Sequence, residues 1–153
     1  MTTMDIRPRV LDFADDTGDQ LRHAAHQYWF ELGWHTTVHG SQLALELDDD
    51  LWGLQMPAGL AVELVAVLRA RHLSCPVVDL GGQQSVVLLE SAERRESAPL
   101  FSWPAGLLPS GHLVPLPPSV TEHGPVRWLT PHEPDGARRP TVRVVAEALA
   151  RLT

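Results

Sequence analysis

Apolar residues recur at helical spacing in three places along the chain. From Thr17 or Asp19 as N-cap, Leu21, Ala24, Ala25, Tyr28, Trp29 and Leu32 fall on one helical face, and Gly33 is placed to stop the helix. The next such segment, PAGLAVELVAVLRARHL, carries Leu60, Leu64, Val67 and Leu68 as a stripe, widened by Ala61, Val62, Val65 and Ala66 until little of it is left for water. Pro57 opens it, because a residue without an N–H and with a fixed φ suits a first helical turn. The last, VRVVAEALARL, places Val142, Val145, Ala146, Leu149 and Leu152 on one face, with Glu147 and Arg151 as an i,i+4 pair.

Between the helices the period changes to two. Trp34 to Val38, a turn at His39, Gly40 and Ser41, and QLALEL with Leu43, Leu45 and Leu47 on one side predict a strand pair. An acidic turn leads into the short strand LWGLQM; CPVVDL and QQSVVLLES flank a Gly81–Gly82 turn; HLVPLPP and PVRWL flank SVTEHG. Residues 1 to 16 show no lasting period and read as a tail or an added strand, leaving residues 17 to 153 as one domain. The segment from Pro99 to Gly111 is an irregular connection, not a linker, since Leu100, Phe101, Trp103, Leu107 and Leu108 occur through it. The order predicts an α+β sandwich with a mixed, mainly antiparallel sheet and helices packed on it.

Composition narrows the classes. The chain has 153 residues and a formal net charge of −7. Its basic residues are all arginine, a bias that a GC-rich coding sequence produces. A domain of this charge binds nucleic acid only by gathering its arginines, so nucleic acid is disfavoured as a partner. The arginines that would contact phosphate are Arg69, Arg71, Arg127, Arg138 and Arg139; Arg94, Arg95 and Arg143 are further basic positions. No apolar run approaches a membrane span, and the acidic N-terminal stretch is unlike a secretory signal, so a cytoplasmic location without a membrane partner is expected. The single cysteine, Cys75, reads as a small buried hydrophobe.

Candidate chemistry is sparse. Asp48, Asp49 and Asp50 read as a solvated turn, where aspartate bonds its own backbone, and are the weak alternative as metal ligands. His23 with His26, and His35 with His39, share a side pairwise, yet zinc needs three or four converging ligands, so they read as surface or interface residues. His112, His123 and His132 lie in loop-rich sequence, Ser110-Gly111-His112 lacks a nucleophile elbow, and Gly81–Gly82 lacks the Lys-Ser/Thr of a phosphate loop.

Four features in order carry a resemblance: Gly33-Trp34 closing the first helix, LWGLQMPAGLAVELVAVLRARHL, PVVDLGGQQSVVLLE, and GHLVPLPPSVTEHGPVRWL. Together they span residues 23 to 129 and resemble the primase-polymerase domain at the N-terminus of bifunctional replication proteins, in its compact actinobacterial form. Such domains transfer nucleotides with two divalent ions held by carboxylates on the strand before the long helix and on a later strand. The resemblance puts Gln55 and Pro57 at the first positions and Leu107 to Pro109 at the last, and no side chain there holds magnesium. The triphosphate-contacting histidine of the family falls near Gln84 or Ser85. Trp52, beside the lost carboxylates, either packs the core, fills the cleft or anchors a protein. The resemblance therefore implies a degenerate, catalytically inactive domain without a cofactor, a regulatory or protein-interaction module acting through a protein partner or self-association. The alternative is an accessory of replication or plasmid maintenance that binds nucleotide or single-stranded nucleic acid.

Overall fold

The computed structural model of the chain describes residues 6–130 and 138–153, with side chains described from residue 17 onward. Its elements alternate as the periodicity requires. Helix α1 (Ile6–Leu32) is followed by β1 (Thr36–His39), β2 (Gln42–Glu46) and β3 (Leu51–Pro57), then by α2 (Ala58–Ala70). Strands β4 (Val77–Gly81) and β5 (Gln84–Glu90) come next, then a single 3₁₀ turn (Arg95–Ser97). The short strands β6 (Gly106–Leu107), β7 (Leu113–Leu116), β8 (Val120–Thr121), β9 (Gly124–Pro125) and β10 (Arg127–Thr130) precede α3 (Val142–Leu152). The chain is thus an α+β protein.

Two sheets organise it. A five-stranded sheet has the order β10-β4-β5-β3-β6, a three-stranded sheet the order β1-β2-β7, and β8 and β9 form a separate ribbon. All of these strand pairs are antiparallel. The parallel component of the expected mixed sheet is limited, among the described residues, to the isolated bridge between Leu73 and Arg138.

Alternation along the strands sends side chains into two cores. Trp52, Leu54 and Met56 of β3, with Val77, Val87 and Leu89, pack under Leu64 and Leu68 of α2 and Val145 and Leu149 of α3. The opposite face gives Leu51, Val78, Val86 and Leu88 to a second core. There they meet Leu43, Leu45 and Leu47 from the β2 segment, Val114 and Leu116 of β7, and Leu21 and Tyr28 of α1. Gly53, on β3, is where the two sheets close: a Cβ there would lie 2.6 Å from the Leu47 side chain and 3.3 Å from both Val86 and Leu108. Ser119 fastens the three-stranded sheet from its rim, its buried hydroxyl accepting from the Leu43 N–H at 2.6 Å and donating to the Leu43 carbonyl at 3.1 Å.

Three sequence expectations change. Residues 6–16 are the first turns of α1, neither a tail nor an added strand, and the helix runs on through Thr17 and Asp19 instead of starting there. Residues 1–5 and His132 lie outside the described residues. Pro57 is the last residue of β3 and the N-cap of α2, with φ −58° and ψ 144°, one step before the expected first turn. The apolar face of α2 is narrower than its composition suggests, because Val62 and Ala66 are exposed.

The helix ends are sealed by left-handed residues. At α1, Gly33 has φ +70°; its N–H donates to the Trp29 carbonyl and that of Trp34 to the Tyr28 carbonyl. At α2, His72 has φ +58°, with its N–H on the Arg69 carbonyl and that of Leu73 on the Leu68 carbonyl, a Schellman closure without glycine.

Two outcomes test this packing. Gly53→Ala, forced against the buried Leu47 and Val86 and the partly buried Leu108, lowers stability by about 1–3 kcal/mol, read as a reduced urea midpoint with an unchanged slope. Burial pushes the Cys75 thiol from 9.0 up to about 12 and the Tyr28 phenol from 10.0 up to about 12. Both groups stay neutral in the folded state while the unfolded chain releases their protons from pH 9 upward. The stability they contribute is therefore complete below pH 9 and lost as pH rises towards 12. The urea midpoint falls across that window, and Cys75→Ala makes the fall shallower.

Candidate functional site

The structure separates the positions that the resemblance groups into one cleft. Trp52 is fully buried in the core beneath α2 and α3, its indole N–H donating to the Asp49 carbonyl at 2.8 Å. Of the readings left open by sequence, core packing is the one that this geometry matches. Gln55 and Gln84 emerge on the other face of the sheet and pair with each other, Nε2 of Gln55 donating to Oε1 of Gln84 at 3.3 Å. The β6 register places Gly106 opposite Gln55 and Leu107 opposite Leu54, so the two segments implied to carry metal ligands are neighbours, although more than fifty residues of chain separate them. Pro57 lies opposite Gln84 at the end of the β3–β5 ladder. Ser85 faces the helices, fully buried, and its hydroxyl has no hydrogen-bond partner.

The turn that ends this sheet is built on backbone. Gly81, Gly82 and Gln83 all have positive φ, and a Cβ on Gly81 would come within 2.9 Å of the His123 backbone. His123 lies across the turn, its Nδ1 3.2 Å from where a Gly82 Cβ would stand. Nothing in the sequence, where His123 sits nearly forty residues away in a loop, links it to this glycine pair.

Asp48, Asp49 and Asp50 form an exposed turn in which Oδ1 of Asp48 accepts from the N–H groups of Asp50 and Leu51, both at 2.8 Å. Among the described residues, no group of three or more His, Cys, Asp or Glu converges to hold a metal ion. Arg95, which sequence reading placed among basic surface positions, is instead a tie between segments. Its Nη1 donates to the Leu108 carbonyl at 2.8 Å and its Nη2 to the Asp48 carbonyl at 3.4 Å, while its guanidinium lies 5.5 Å from the Trp52 ring centroid.

The phosphate-contact candidates divide. Arg69 and Arg71 end α2, and Arg138 is bonded through its backbone to His72 and Ser74, so these three share one end of the molecule. Arg139 acts there too, its charge opposing the upward push of burial on Cys75. Arg127 stands apart on edge strand β10, opposite Asp79.

Two adjoining grooves occupy the opposite end of β3 and β5 from the Gln55–Gln84 pair. The larger, of about 710 Å³, has Leu32, Trp34, Leu45 and Leu51 in its walls and the carboxylates of Glu46, Asp48, Asp50 and Glu90 around it. The smaller, of about 320 Å³, is lined by Ala25, His26, Trp29 and Thr36, with Arg22, itself ion-paired to Asp19, at its edge, and shares Trp34 and His35 with the first. The His35 ring lies tilted by 43° against the Trp29 ring, centroids 4.6 Å apart, and His26 is stacked beside Phe30 at 6.4 Å. His23, His26, His35 and His39 are all exposed, as expected of surface residues, and two of them, His26 and His35, lie beside aromatic rings. Several apolar side chains stand in solvent: Leu100 is 97% exposed, Trp103 87%, Phe30 82% and Trp29 51%.

Replacing Arg95 tests its role as a tie. Arg95→Ala lowers the melting temperature, equivalent to about 1–3 kcal/mol, and alters the near-ultraviolet circular dichroism of Trp52; Arg95→Lys recovers little, because an ammonium cannot span two carbonyls and an indole face.

A scan of family models, a search of curated proteins and a search of solved structures each find no match to this chain.

Proposed function

We propose that the protein is a catalytically inactive, primase/polymerase-like domain that works as a regulatory or protein-interaction module. The observation that carries this reading is the solvent exposure of Leu100, Trp103, Phe30 and Trp29, large apolar side chains of the kind that anchor protein contacts. The degenerate positions support it. Gln55 and Pro57 stand where the resemblance requires carboxylates, and Gln55 is engaged with Gln84. A neutral amide and a proline ring supply no anionic oxygen for magnesium, whose charge contributes several kcal/mol to nucleotidyl transfer, at about tenfold in rate per 1.36 kcal/mol. Apposition of β6 with β3 at Gln55 is the feature of the fold that agrees with the resemblance.

A second reading, an accessory that binds nucleotide or single-stranded nucleic acid, draws on the gathering of Arg69, Arg71 and Arg138 at the end of α2. Against it stands the net charge of −7.

Two measurements separate the readings. Fluorescence anisotropy with labelled single-stranded DNA shows no binding at low or moderate salt, and magnesium or manganese with nucleotide leaves the melting temperature unchanged. Salt-sensitive DNA binding that weakens in Arg71→Ala/Arg138→Ala establishes the second reading, and a nucleotide-dependent rise in melting temperature overturns the inactive assignment.

A further inference from the structure

The joined grooves at the end of α1 carry a specific charge pattern. Glu46, Asp48, Asp50 and Glu90 are exposed around the larger groove, and none of the four is ion-paired among the described residues. The nearby guanidinium of Arg95 is turned to Asp49 and to backbone carbonyls. Beneath the carboxylates the groove is apolar, with Trp34, Leu45 and Leu51 buried in the second core, so its walls are held by packing. Its neighbour adds an aromatic shelf: Trp29 is half-exposed, tilted against His35, and set beside Trp34, while Arg22 at that groove's edge is held by Asp19.

An apolar floor, an exposed indole face and unneutralised carboxylates are the three elements that an arginine side chain uses together. Its methylene stem lies on apolar surface, its guanidinium plane stacks on an aromatic face, and its edge meets carboxylates. The geometry points to this groove as the docking site for a cationic peptide segment of a protein partner, bearing arginines interspersed with apolar residues. The exposed face of Trp29 takes the guanidinium plane, the floor at Trp34, Leu45 and Leu51 takes the apolar side chains, and Glu46, Asp50 and Glu90 take the charge. The net charge of −7 steers such a segment towards the chain and repels nucleic-acid phosphate. This assignment rests on the protein-interaction reading above and names the partner's chemistry.

The test uses the full chain and three fluorescein-labelled probes: a peptide alternating Arg and Leu, the same peptide with Glu in place of Arg, and single-stranded DNA. The arginine peptide binds, weakens with salt, and binds about tenfold more weakly to Glu46→Gln/Asp50→Asn/Glu90→Gln and to Trp29→Ala. Asp48 is left intact because it caps its own turn. Circular-dichroism melting shows that the variants are folded, and Trp29→Ala, altering a half-exposed side chain, keeps the test available if the triple variant unfolds. In ¹⁵N NMR titrations the indole N–H signals of Trp29 and Trp34 shift while those of Trp52 and Trp103 stay. Equal binding of the glutamate peptide, no binding of either peptide, or arginine-peptide binding indifferent to the variants overturns the groove assignment alone. Salt-sensitive DNA binding without peptide binding overturns the interaction reading as well.

Discussion

A strand buried on both faces is the constraint on which this fold turns. Trp52, Leu54 and Met56 leave β3 towards the helices, Leu51 and the bare face of Gly53 turn the other way, and from Leu51 to Leu54 neither side reaches solvent. Such a strand is stable only when two separate layers cover it. Helices α2 and α3 provide one; the three-stranded sheet and α1 provide the other. The absence of a side chain at Gly53 lets Leu47 seat against the strand, so the same residue that weakens β-propensity locally permits the second layer to close.

Much of this was legible in the sequence because burial imposes a period. The alternation of Leu43, Leu45 and Leu47, and the 3.6-residue recurrence in α3, each mark a single buried face, and each stands where expected. Sequence reasoning failed where a local signal and a tertiary one disagree. Residues 1 to 16 show no lasting period, and the acidic pair Asp15 and Asp16 looks like an exposed lead-in, yet α1 runs through residues 6–16. Val62 looks like core because valine usually is, but its position on α2 turns it outward. The closure of α2 on His72 has no sequence signature, since histidine there adopts a conformation normally left to glycine.

Long-range relations were the least legible. Arg95 reads as one of a surface pair with Arg94, and only the folded chain shows it reaching Leu108, Asp48 and Trp52. The two grooves draw on α1, the β1–β2 hairpin, the Asp48–Asp50 turn and the end of β5, four segments whose separate compositions are ordinary. The apposition of Gln55 with Gly106 likewise joins segments about fifty residues apart, with no local signal in either.

The Arg95 tie has a mechanical consequence. Its guanidinium braces the 91–111 excursion, which carries Leu100 and Trp103 into solvent, across itself at the Leu108 carbonyl and joins it to the aspartate turn bordering the larger groove through the Asp48 carbonyl. A load applied to the excursion therefore reaches the groove's edge by side chain as well as by backbone, because the Ser91 N–H also donates to the Asp50 carbonyl and the Gly111 N–H to the Leu47 carbonyl.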